Sequence, residues 1–147
     1  MQTTTTTDVT VLNSLLRGEM SAIETYRQAR EKLTPGEPGA AELERFQLDH
    51  RDAADKLWHH IEQHDGKPSE GSGAWGAWAK TVEGTAKLLG NAAALKALKE
   101  GEEHGLKDYQ EALVDNDLPV DCQTLIRSFM EKQREHIMAL DRLIGAV

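Results

Sequence analysis

Two segments of this chain carry the same helical pattern with the same interruption. One reads Leu15-x-x-Gly18-Glu19-x-x-x-Ile23-x-x-Tyr26-x-x-Ala29 and the other Leu98-x-x-Gly101-Glu102-x-x-x-Leu106-x-x-Tyr109-x-x-Ala112. Apolar residues recur three or four positions apart, the spacing of one face of an α-helix. Within that face each segment places a glutamate. A charge on a buried stripe is costly unless it is paired or holds a metal. The chain must therefore fold so that two carboxylates find partners in its interior, and the repetition suggests that the partners are duplicated too.

A first helix is expected over residues 8–33, with stripe Leu12, Leu15, Leu16, Glu19, Ala22, Ile23, Tyr26, Ala29 and Leu33. Residues 1–7 read as a flexible tail, with Thr7 or Asp8 available as the helix cap. The run Thr34-Pro35-Gly36-Glu37-Pro38-Gly39 breaks the helix. A second helix follows over 40–64, with Leu43, Phe46, Gln47, His50, Ala54, Leu57, Ile61 and His64 on one face. So short a link makes the two antiparallel neighbours.

Residues 65–90 read as a crossover: a Gly- and Ser-rich loop, then an accessory helix bearing Trp75, Trp78, Val82, Ala86 and Leu89. A third long helix over 91–114 ends at Asp115-Asn116-Asp117-Leu118-Pro119, and a fourth runs from 121 to 147 with Ile126, Phe129, Gln133, His136, Leu140, Leu143 and Val147 on its stripe. Helices two and four also align, Gln47-x-x-His50-x-x-Ala53-x-Asp55-x-Leu57 against Gln133-x-x-His136-x-x-Ala139-x-Asp141-x-Leu143. The offset is 83 from Glu19 to Glu102 and 86 from His50 to His136, close enough to read as an internal duplication. The expectation is one all-α domain over 1–147, a four-helix bundle of two repeated hairpins.

Composition narrows the function. A net charge of −8 argues against nucleic acid and anionic membrane surfaces as partners. No stretch reaches the roughly 20 apolar residues of a membrane span, and the threonine-rich start, with neither a basic region nor an apolar core, does not read as a secretory signal. Cys122 is the single cysteine, so an internal disulfide is impossible and a cytoplasmic setting is expected.

Each half thus offers a Glu on its first helix and a Gln-x-x-His on its second. Residues i and i+3 share a helix face, so Glu19, His50, Glu102 and His136 are expected to converge on the bundle axis, with Gln47 and Gln133 one turn away. The arrangement resembles the ferritin-like superfamily from residue 8 to residue 147. Its di-iron members carry a Glu on two helices and a Glu-x-x-His on the other two, and some place a tyrosine seven residues after the first glutamate, as Tyr26 follows Glu19. More narrowly, Gly101-Glu102-Glu103-His104-Gly105-Leu106-Lys107-Asp108-Tyr109 and Leu12-Asn13-x-Leu15-Leu16 resemble an uncharacterised bacterial ferritin-like four-helix-bundle family of about this size.

The resemblance implies a metal centre, and one departure limits it. Gln47 and Gln133 stand where that pattern has bridging glutamates. Two carboxylates neutralise one divalent ion rather than two. The expected ligands are Glu19, His50, Glu102 and His136, with Gln47, Gln133, Tyr26 and Tyr109 around them. The donor set suits iron, manganese or zinc without choosing among them. No catalytic residue is assigned. The competing reading is a metal-free, non-catalytic bundle acting by self-association or partner binding, as in a stress response, in which the same residues form a buried hydrogen-bond network that fixes helix register. His60 and His64, one turn apart, read as a solvated helix end before a metal pair. His59 belongs to the same end, His104 is peripheral, and Cys122 reads as a bystander.

Overall fold

The computed structural model describes residues 6–33, 36–37, 39–71 and 91–146. Four long helices account for most of them: α1 (Thr6–Lys32), α2 (Ala40–Gln63), α3 (Asn91–Asp115) and α4 (Val120–Ala146). Each agrees with the periodicity to within two residues. The first helix begins before Asp8, which lies within its first turn rather than capping it. The expected accessory helix, with Trp75 and Trp78, falls outside the described residues, as do residues 1–5 and Val147.

α1 packs mainly on α2 and α3 mainly on α4, and the two hairpins meet through α1 against α3 and α2 against α4. Cross-hairpin contacts give the sense of those pairings. Tyr26 meets Glu102 while Tyr109 meets Glu19, so α1 and α3 are antiparallel. His136 meets Asp49 while Cys122 meets His60, so α2 and α4 are antiparallel too. Helix one is therefore related to three, and two to four, by an approximate twofold across the bundle. α2 ends and α3 begins at opposite ends of the bundle.

Two apolar clusters fill the interior. One contains Leu12, Leu16, Leu57, Ile61, Leu118 and Ile126, all fully buried. The other, toward the opposite end, contains Tyr26, Leu43, Phe46, Leu98 and Leu140. Leu118 lies in the Asp- and Pro-containing break between α3 and α4, yet its side chain is fully buried in the core. The charged and polar side chains described next lie between these clusters, so each hairpin must place its polar face at the same height along the bundle.

The helix ends explain the chain reversals. Gly39 precedes α2 at φ 94, a left-handed conformation that glycine adopts without steric cost, and a Cβ there would press on the Leu143 side chain at 3.2 Å. At the other end of α2, the Gly66 N–H donates to the Ile61 carbonyl and the Asp65 N–H to that of Glu62. This is the Schellman pattern, with Asp65 in the left-handed position at φ 60. Glycine is the residue that fits there at least cost. Asp65→Gly is expected to stabilise the protein by up to about 1 kcal/mol. Urea unfolding measures it, and a clear loss of stability would show that the Asp65 side chain holds the turn.

A buried layer of histidines and carboxylates

Glu19, His50, Glu102 and His136 each expose 3% of their surface or less. They meet in one layer because all four lie on the inward stripes of helices whose hairpins are in register. His50 sits between the two glutamates: Nδ1 is 2.5 Å from Glu19 Oε2 and Nε2 is 2.5 Å from Glu102 Oε1. His136 places Nδ1 3.1 Å from the same Glu102 oxygen. Its Nε2 is 2.8 Å from Oδ2 of Asp49. The imidazoles lie 5.1 Å apart, His50 stacking on Tyr26 and His136 against Phe46.

The tyrosines cross between hairpins. The Tyr26 hydroxyl donates to Glu102 Oε1 at 2.7 Å and the Tyr109 hydroxyl to Glu19 Oε1 at 2.6 Å. Burial, and then the adjacent carboxylates, push both phenols well above their ordinary value, so they remain donors. Each hairpin's glutamate is thus held by the other's tyrosine.

The two glutamines do not act alike. Gln47 turns to the α1–α2 interface, where its oxygen accepts from Arg30 at 2.5 Å and its amide donates to the Ile23 carbonyl at 3.3 Å. Gln133 stays in the interior against Gly105, where a Cβ would come 2.7 Å from its amide nitrogen. Asp49 was not anticipated. It lies just off the stripe, and its partner is on the other hairpin. Its position immediately before His50 was the signal present in the sequence.

Electrostatics and satisfaction are uneven here. Burial alone would disfavour a charged His50, but Glu102 and Glu19 outweigh it and hold the imidazole well above its usual 6.5. Burial would raise Glu102, but the His50 charge and the hydrogen bonds of both histidines bring it down to about 2. Glu102 Oε1 faces three partners, whereas its Oε2 is buried with none, as is Gln133 Oε1. Two small cavities flank the layer and share Glu19, His50 and Gln133 as lining. The one between α1 and α3, beside Gly18, Gly101 and Gly105, is about 40 Å³. The one between α2 and α4, beside Asp49 and Lys132, is about 90 Å³. Each exceeds the roughly 10–15 Å³ that one water needs. His50, Glu102 and His136 bring one donor atom each to within 4.8 Å of one another, as a metal site requires.

Fold and site together define an all-α four-helix bundle with a buried histidine–carboxylate layer at its centre. Residues 7–115 match the family described as a domain of unknown function, DUF2383, and the chain belongs to that family. No curated protein and no solved structure matches it. The family match covers α1 to α3, with Glu19, His50 and Glu102; His136 lies beyond it on α4.

Two outcomes are expected of the layer itself. His50→Leu leaves Glu19 and Glu102 buried without the group between them, at a cost of about 3–5 kcal/mol. Denaturant unfolding reads this, and a loss below about 1 kcal/mol would contradict the ion-pair account. Acid and base act in opposite senses on chelator-treated protein. The Glu102 contribution is complete above its unfolded value near 4.5 and disappears as pH falls through about 2. The His50 contribution is complete below 6.5 and fades as pH rises through its elevated folded value. Thermal unfolding across pH should therefore show a plateau of stability between about 4.5 and 6.5, with losses on both sides.

Proposed function

We propose that this protein is a ferritin-like metal-binding bundle that holds one divalent ion in the layer between Glu19, His50, Glu102 and His136. The carrying observation is a count of hydrogens. Four ring nitrogens each face a carboxylate oxygen, yet a neutral imidazole has one N–H. Two of the four contacts would otherwise set lone pair against lone pair. The layer accepts two positive charges beyond neutral rings, as two protons or as one divalent ion.

The ion's ligands would be His50 Nε2, His136 Nδ1 and the Glu102 carboxylate. Glu19 and Asp49 would accept the remaining N–H of His50 and His136, the carboxylate–histidine–metal arrangement that fixes ring orientation at metal sites. The orphaned oxygens Glu102 Oε2 and Gln133 Oε1 supply further donor capacity. A two-His, one-carboxylate set suits Fe²⁺, Mn²⁺ or Zn²⁺. Such an ion would act as a Lewis acid toward an oxygen ligand. The two cavities beside the layer give that ligand room.

The test uses Cys122→Ser protein, so that no thiol contributes. Chelator-stripped samples are titrated with Fe²⁺, Mn²⁺ and Zn²⁺. One equivalent should bind, with proton release, and His136→Gln should abolish that binding. Asp49→Asn should weaken it about 10- to 100-fold. Gln133→Glu adds a carboxylate at an orphaned position and should tighten it; Gln47→Glu, facing Arg30, should not. A layer that binds none of the three metals stoichiometrically would leave the metal-free, two-proton network as its role.

A further inference from the structure

A second cluster of ligating side chains forms where the end of α2 meets the start of α4. His60 and His64 are one turn apart on α2 and present the same face. Asp121 and Cys122 open α4. His60 Nε2 lies 3.0 Å from Cys122 Sγ and 3.3 Å from Asp121 Oδ2. His64 Nε2 lies 3.0 Å from that same oxygen. The other Asp121 oxygen accepts the Cys122 backbone N–H at 3.0 Å, which aims Oδ2 at the imidazoles. One donor atom from each of the four residues lies within 4.8 Å of all the others.

We propose that His60, His64, Asp121 and Cys122 form a tetrahedral Zn²⁺ site that ties the two hairpins together at this end of the bundle. Zinc takes nitrogen and sulfur donors at about 2.0–2.3 Å in tetrahedral sites, which puts ligand atoms about 3.3–3.8 Å apart. Three of the six separations, at 3.0–3.3 Å, fall just inside that shell, and all six lie within 4.8 Å. Two neutral imidazoles, one thiolate and one carboxylate balance the charge of one Zn²⁺. Nitrogen and sulfur donors also disfavour Ca²⁺ and Mg²⁺, which prefer oxygen.

The surroundings are consistent with such a site. Burial lowers His60 below its ordinary value despite Asp121, which keeps a ring lone pair available. Burial, followed by the charges of Asp121 and of Asp8 on α1, pushes the Cys122 thiol up to about 12. An ion that binds this sulfur must displace its proton. Burial is graded. Cys122 is fully enclosed, while the Asp121 side chain is 56% exposed, so an ion can enter from the aspartate side.

The site shares no residue with the central layer, and its sulfur makes the two separable by spectroscopy. Chelator-stripped full-length protein is titrated with Co²⁺ as a zinc surrogate, in a phosphine reductant that offers no thiol. One equivalent should produce thiolate-to-cobalt charge-transfer absorption in the near ultraviolet, and Zn²⁺ should displace it. Cys122→Ser should remove the band while leaving any sulfur-free binding at the central layer. His60→Gln and His64→Gln should each weaken the band's apparent affinity by about tenfold or more. His64 is partly exposed, so its variant tests the site even if Cys122→Ser misfolds. With the central layer disabled by His136→Gln, Zn²⁺ should still raise the melting temperature, but not when His64→Gln is added to that variant. Cobalt bound with no sulfur band, or a band with undiminished affinity in both histidine variants, would overturn the proposal.

Discussion

His50 placed between two buried glutamates is the constraint on which the bundle depends. Each glutamate would be intolerable at its depth alone. One imidazole reaching both makes them tolerable only when Glu19 on α1 and Glu102 on α3 stand at the same height, with α2 supplying the ring from the side. Three of the four helices are fixed in register by that contact. The fourth joins through His136, which reaches the same Glu102 oxygen and the Asp49 carboxylate of α2. Apolar packing above and below supplies area, but Leu and Ile tolerate sliding far better than a hydrogen-bonded charge does.

The duplication is real in pattern and unequal in use. Tyr26 and Tyr109 keep the twofold, each serving the opposite glutamate. The histidines break it, since His50 bridges both glutamates and His136 one glutamate and an aspartate. The glutamines break it further. Gln47 has been drawn outward by Arg30, while Gln133 remains inside with an unsatisfied oxygen. A symmetric di-metal centre needs equivalent bridging groups from both halves. This layer instead concentrates its contacts on Glu102, the asymmetry on which the proposal of a single ion rests.

Much of the fold was legible because helical periodicity is a local property. Four helix spans, both chain reversals, the antiparallel hairpins and the inward placement of Glu19, His50, Glu102 and His136 follow from spacings of three and four. The break at residues 115–119 was legible too, but not that Leu118 within it is buried, because the acidic composition around it masks a single core side chain. Asp49 was missed because its partner is 87 residues away on the other hairpin. Cys122 read as a bystander because nothing beside it in sequence is basic or histidine-rich. Its imidazole neighbour is 62 residues distant.

By itself, the sequence determined which residues are inside: the apolar stripes, the repeated glutamates, and the Gln-x-x-His pairs that share their helix faces. Burial of this kind is set by periodicity, which each helix carries alone. Tertiary structure decided who meets whom. The register between hairpins, fixed by tyrosines and histidines crossing from one to the other, selected Asp49 as the carboxylate behind His136 and turned one glutamine out and the other in. It also brought two histidines of α2 onto the cysteine and aspartate that open α4. Those pairings depend on how two antiparallel interfaces slide against each other, and no spacing within a single helix encodes that.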